Sequence, residues 1–110
     1  MAKLKVDDLV KRMLAAAAGS LENQWPDAKD YAQMEFTKLA QTMLMIQTNY
    51  ALGRISKTEA RLLIDIQRNA MRSVLLTLEG LGAIAVERAI NAALKTVRDA
   101  VNAAIGFALI

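Results

Sequence analysis

The chain has 110 residues, carries a formal net charge of +3, and contains neither cysteine nor histidine. A chain of this length forms one domain at most, and we expect residues 1–110 to form a single helical domain. Without cysteine there is no disulfide or thiolate chemistry, and without histidine the usual general base and the usual metal ligand are missing.

The composition also predicts more apolar surface than a small monomer buries. Hydrophobic residues make up 55% of the sequence, although twenty of them are alanines, which favour helix. A lone chain of this size buries only about two-thirds of its surface on folding. We therefore expect apolar surface to remain for a second copy, a protein partner or a membrane.

The first half of the chain predicts two helices, over 4–24 and 27–52. Apolar residues recur at steps of three and four from Val6 to Leu21, which is the helical period. Pro26 ends this pattern because proline disfavours helix at the residue before it, and it also suits the first turn of the second helix. The run 43–46 is apolar all round, so we expect it to be buried on several sides.

Residues 56–59, Ser-Lys-Thr-Glu, predict the start of a third helix over 57–79. Ser56 is the expected N-cap, and Glu59 is placed to reach back to its main-chain N–H, which together form a capping box. Only a short turn separates this start from the second helix. The third helix should therefore pack antiparallel to the second.

A fourth helix is predicted over 83–108, after a break at Gly80 and Gly82. Two glycines cost about 2 kcal/mol of helix propensity against alanine. The alternative is that the last two helices are one helix of roughly 75 Å, which would demand an oligomer. The predicted fold class is all-α, a small antiparallel bundle of about four helices.

The fourth helix has the cleanest amphipathic pattern and supplies a candidate interface. Its apolar face runs on into an apolar C-terminal end, which should be docked on protein or lipid because a free terminus frays. Contact between such helices is an established mode of recognition. The candidate interface residues are Val86, Ile90, Leu94, Val97, Val101, Ile105, Phe107 and Leu109.

A basic stripe on the third helix is a second candidate site, with its members within about 60° of one another at about 100° per residue. It is interpreted either as a solvated outer face, partly neutralised by ion pairs with Asp65, or as a weak site for nucleic acid or anionic lipid. No aromatic residue interleaves it, so nucleic acid is the less supported partner. The stripe consists of Lys57, Arg61, Arg68 and Arg72.

The sequence offers little to a catalytic site. Zinc sites, Ser–His or Cys–His nucleophile systems and di-iron bundles require residues that are missing, and there is no P-loop or calcium loop. Most carboxylates suit helix starts or surface ion pairs rather than a paired site in a cleft. We therefore expect no enzyme, no metal and no cofactor, but a protein that self-associates through apolar helix faces.

Two alternative functions remain open. The amphipathic first and last helices and the basic charge fit a protein that binds a membrane surface, and the basic stripe fits a weak nucleic-acid binder. The expected partners are a second copy of the chain or another helical protein. No stretch reaches the roughly 20 apolar residues of a membrane span, and charged residues from Asp7 to Arg12 interrupt any signal-peptide core, so we expect a cytoplasmic location.

Overall fold

The chain reverses direction between successive helices, and each reversal has a local cause in the sequence. The computed structural model describes residues 3–110 as an all-α bundle, without a strand in that range. A 3-10 turn over Glu22–Gln24 separates the first two helices. The helices are α1 (Val6–Leu21), α2 (Trp25–Ala51), α3 (Lys57–Leu76) and α4 (Ala83–Ile105).

The start of α3 confirms the predicted capping box. The Glu59 N–H donates to Ser56 Oγ and the Ser56 N–H donates to Glu59 Oε1, both at 3.0 Å. Two of the main-chain groups that a helix start leaves unpaired are satisfied in this way. The chain then folds back, so that α3 packs along α2.

The predicted break between the last two helices is confirmed, and the alternative of one long helix is wrong. Helix α3 ends at Leu76, short of the predicted 79, and α4 begins at Ala83. Gly80 has a φ of 85°, a value that glycine adopts without steric cost. Gln24 of the 3-10 turn donates a hydrogen bond from Nε2 to the Gly80 carbonyl, which fixes this turn against the start of α2.

Two further helices, α1 and α4, also end three residues before the predicted position. Helix α1 ends at Leu21 rather than 24, because the chain reverses at Glu22, whose φ is 50°. Pro26 lies in the first turn of α2, where its missing N–H costs nothing. Helix α4 ends at Ile105 rather than 108, because Gly106 adopts a left-handed φ of 101° and its N–H bonds to the Asn102 carbonyl.

Helices α1 and α4, the first and the last, form the most extensive contact in the bundle. Helix α2 packs on α1 and α3, and α3 also touches α4, whereas α1 and α3 do not meet within residues 3–110. One continuous core joins all four helices. Its largest fully buried hydrophobic side chains include Phe36, Met13, Leu39, Met43, Ile46, Met71, Leu75 and Ile90.

Alanine substitution should have opposite effects on stability at two glycines, Gly106 after α4 and Gly19 within α1. Gly106→Ala should lower the free energy of unfolding by about 1–2 kcal/mol, because a Cβ disfavours a left-handed φ. Gly19→Ala should raise it by about 0.5–1 kcal/mol, because Gly19 lies within α1 and a Cβ there meets nothing within 4 Å. Urea unfolding of both variants measures the difference. A Gly106→Ala protein as stable as the parent would contradict the described end of α4.

Candidate functional site

The residues predicted as an interface lie inside the chain's own core. Seven of the eight are buried, with exposures of 0–6%, and the eighth, Phe107, is half-buried. The reason is that α4 packs against all three other helices, so its apolar face meets α1, α2 and α3. Folded copies therefore cannot associate through Val86, Ile90, Leu94, Val97, Val101, Ile105 or Leu109.

The C-terminal tail, residues 106–110, is docked on the bundle, as its apolar character predicts. The Phe107 ring lies 4.8 Å from the Tyr50 ring, centroid to centroid. Lys57 Nζ and Arg61 Cζ approach the same ring at 5.7 and 5.3 Å, within the range of cation–π attraction. Arg61 also donates to the Ala108 carbonyl, at 3.2 and 3.3 Å.

Asn102 holds the end of the tail. Its Oδ1 accepts hydrogen bonds from the N–H groups of Leu109 (2.9 Å) and Ile110 (3.0 Å), and its Nδ2 donates to the Ile110 carbonyl (3.0 Å). One side chain thus bonds three main-chain groups of the tail, which lies beyond the end of α4 at Ile105. This role of Asn102 was not predicted from the sequence, because residues 109 and 110 return to it by way of the Gly106 turn.

The basic stripe faces α4 and the tail, which differs from a solvated outer face. Lys57 and Arg61 contact Phe107, as described above. Arg68 Nη2 donates to Asn91 Oδ1, and Arg72 forms an ion pair with Glu87. The stripe therefore lines the boundary between α3 and α4. Asp65 was expected to form ion pairs with the stripe, but it forms none within residues 3–110. The ion pairs in that range are Arg72–Glu87 and Lys38–Glu35.

Two buried polar side chains lie on the α2 surface that meets other parts of the bundle. Gln47 Oε1 accepts from the Leu4 N–H (2.8 Å), and Gln47 Nε2 donates to the Ala104 carbonyl (3.2 Å), so this side chain ties α2 to the segment before α1 and to α4. Glu35 is 1% exposed, and its Oε2 accepts from Lys38 Nζ at 3.1 Å. The sequence did not predict that these two side chains are buried. Other polar residues at similar places in the helical pattern of α2 are exposed.

The outer surface of α2 and α3 carries most of the exposed apolar side chains. Eight large hydrophobic residues in the described range are exposed, and seven of them belong to α2, α3 or the turn between these helices. Ile84, at the start of α4, is the eighth. We call six of these residues the hairpin face; they are between 41% and 58% exposed and comprise Tyr31, Met34, Met45, Leu62, Ile66 and Leu76.

The hairpin face was not predicted from the sequence. Met45 was expected to be buried with the rest of the run 43–46, yet it is 45% exposed, whereas Met43 is fully buried. Leu62 and Ile66 likewise lie away from the stripe of α3 that reaches the core through Ile64. An apolar stripe on both sides of a helix does not reveal which side a neighbouring helix will cover.

The grooves and acidic side chains of the described residues bear on ligand and metal binding. A groove of about 680 Å³ at one end of the bundle has an apolar lining and only one charged side chain, Lys3. Within residues 3–110 no three acidic side chains are grouped so as to hold a metal ion. Nor does any helix in this range have the length and apolar character needed to cross a membrane.

Comparison of the chain with protein-family models, with curated proteins and with solved structures found no match.

The contacts of Asn102 predict that this side chain keeps the tail docked. Asn102→Ala should lower the free energy of unfolding by about 1–2 kcal/mol, because it leaves the Ile110 N–H and carbonyl without a partner and removes one of the two acceptors of the Leu109 N–H. Amide hydrogen exchange at Leu109 should then accelerate about ten-fold. Asn23→Ala is the control, since Asn23 is exposed and makes no side-chain hydrogen bond in the described range. Equal exchange at Leu109 in both variants would contradict the tail contacts.

Burial of Glu35 predicts that an apolar replacement stabilises the protein. Glu35→Met should raise the free energy of unfolding by about 1–3 kcal/mol, since methionine fills a similar volume without a charge to desolvate, and Lys38 is exposed enough to be hydrated alone. Glu79→Met, at an exposed position, should change it by less than about 0.5 kcal/mol. A large loss of stability in Glu35→Met would show that the carboxylate contributes more than its desolvation costs.

Proposed function

We propose that this protein is a non-enzymatic helical assembly protein whose folded copies associate through the hairpin face. The observation that supports it is the concentration of exposed apolar side chains on α2 and α3. Contiguous exposed apolar surface on a small protein is typical of an interaction site. The proposed place of action is the cytoplasm, on the sequence grounds given above.

The outer surface of α1 differs from that of α3 in its chemistry. Helix α1 presents Asp7, Asp8, Lys11 and Arg12 to solvent, as expected of a helix that faces water. On α3 the lysine and the three arginines all lie on the side that meets α4, so its outer stripe presents Leu62 and Ile66 without a basic neighbour. The centres of protein interfaces are depleted in charge in the same way and enriched in methionine.

One basic residue, Lys38, does lie on the α2 part of the hairpin face, between Met34 and Met45. Its ammonium group is paired with the buried carboxylate of Glu35. The pair leaves no net charge at this point, and the lysine's methylene groups add to the apolar surface. A partner that covers Lys38 therefore does not bury an unpaired cation.

The size of the face fits a protein interface. Helix α3 has 20 residues and is about 30 Å long, and two packed helices are about 20 Å wide. The outer side of the hairpin thus offers about 600 Å², close to the roughly 800 Å² that each partner contributes to a standard interface.

A second copy is the partner that best matches this face. The chain carries a net charge of +3, so two copies repel each other unless their charges lie away from the contact. On the hairpin face the basic residues of α3 lie away from the contact and Lys38 is paired with Glu35, and an apolar surface is complementary to itself. Two hairpins related by a two-fold axis would form a closed, four-helix contact layer.

Light scattering on a size-exclusion column, over a concentration series, tests the assembly. We expect a dimer or higher oligomer at micromolar concentration that dissociates on dilution. A monodisperse monomer throughout would contradict the proposal. Co-sedimentation of that monomer with uncharged vesicles, lost in Ile66→Glu, would instead assign the hairpin face to a membrane surface.

Substitution of one leading residue tests where the copies meet. Ile66→Glu should raise the dissociation constant of the oligomer at least about ten-fold, because it replaces a side chain whose burial is worth about 1.5–3 kcal/mol. The fold should survive, since Ile66 is 57% exposed. Ile84→Glu makes the same chemical change at an exposed isoleucine off the hairpin, and it should leave the constant within about two-fold. Equal weakening by both variants would place the contact elsewhere.

A further inference from the structure

The boundary between α3 and α4 holds a small groove whose charged side chains are all positive. The groove has a volume of about 240 Å³ and is lined by Arg68, Asn91, Leu94, Lys95, Arg98 and Ile110. Arg68 comes from α3, residues 91, 94, 95 and 98 come from α4, and Ile110 comes from the docked tail. Three cations thus converge there, and no aspartate or glutamate is among the lining residues.

The three cations lack an anionic partner. None of them forms an ion pair in residues 3–110, where the acidic groups that do pair are Glu35 and Glu87. Asp65 and Asp99, the nearest acids in sequence, lie beyond ion-pair distance of the groove's cations. The charges of Arg68, Lys95 and Arg98 are therefore left for a ligand or for solvent.

Arg68 is held so that part of its guanidinium group remains unused. Its Nη2 donates to Asn91 Oδ1, which fixes the side chain against α4. Its Nε is buried and has no hydrogen-bond partner, so a ligand in the groove can meet only the terminal Nη atoms of this guanidinium group. The planar donors of a guanidinium group match the oxygens of a phosphate or carboxylate.

We propose that this groove binds a phosphate group of a small molecule or a lipid, through Arg68, Lys95 and Arg98. A phosphomonoester carries about 1.5–2 negative charges at pH 7, which balances three cations better than a single carboxylate does. At about 30 Å³ per water, the groove holds about eight waters, which suits a phosphate with a small attached group. No aromatic side chain lines it, so it offers no stacking surface for a nucleic-acid base.

The groove is separate from the hairpin face. Arg68 follows Ile66 by two residues, which is about 200° around the helix at about 100° per residue. Phosphate binding can therefore fail without affecting self-association, and self-association can fail without affecting phosphate binding.

Titration of the full chain with inorganic phosphate, followed by calorimetry at low salt, tests the site. We expect saturable binding with one phosphate per chain. Lys95→Gln combined with Arg98→Gln should weaken it at least about ten-fold, since it removes two of the three cations that line the groove. The control, Lys29→Gln combined with Arg88→Gln, lowers the net charge equally at exposed positions outside the groove and should change the affinity by less than about two-fold.

Three outcomes would overturn the proposal. They are the absence of saturable binding, equal weakening by both double variants, and vesicle binding that the groove variant leaves unchanged. The source of the phosphate is distinguished by vesicles with and without phosphatidic acid. Binding to phosphatidic acid that is lost in the groove variant would support the same site with a lipid headgroup as its ligand.

Discussion

The apolar face of α4 is the constraint on which the rest of the bundle depends. Eight of its 23 residues are buried, and no single neighbouring helix can cover so wide a face. Helix α1 provides the largest share of that cover, although the two helices are joined by more than sixty residues of chain. The fold is therefore completed only when the first and last helices meet, which requires closure of a long loop.

The position of α3 follows from that arrangement. Because α1 packs on α4 and α2, α3 is left to pack on α2 and along one edge of α4. Its basic residues meet α4 and the tail, and its outer stripe is left to solvent or to a partner. The same placement that exposes Leu62 and Ile66 brings Arg68 to the α4 edge, so the two proposed sites both arise from the peripheral position of one helix.

Local features of the structure were predictable from the sequence, and the tertiary partners were not. The Ser56 capping box and the break before Ala83 depend on a few adjacent residues, and both were predicted correctly. The end of α4 was missed because the apolar pattern continues past Gly106, whose left-handed φ stops the helix. Some large apolar side chains do remain exposed, but composition does not show which helix face the rest of the bundle buries. Val97 lies in the core, whereas Ile66 is exposed.

Methyl NMR spectra recorded over a dilution series test the central claim, that α4 is the interior and the hairpin face is the contact between copies. We expect the methyl signals of Leu62, Ile66 and Leu76 to shift as the protein is diluted through its dissociation range. The signals of Val97 and Val101, which are fully buried in each chain, should stay in place. Shifts at Val97 and Val101 with constant signals on α3 would contradict the account and return the interface to α4.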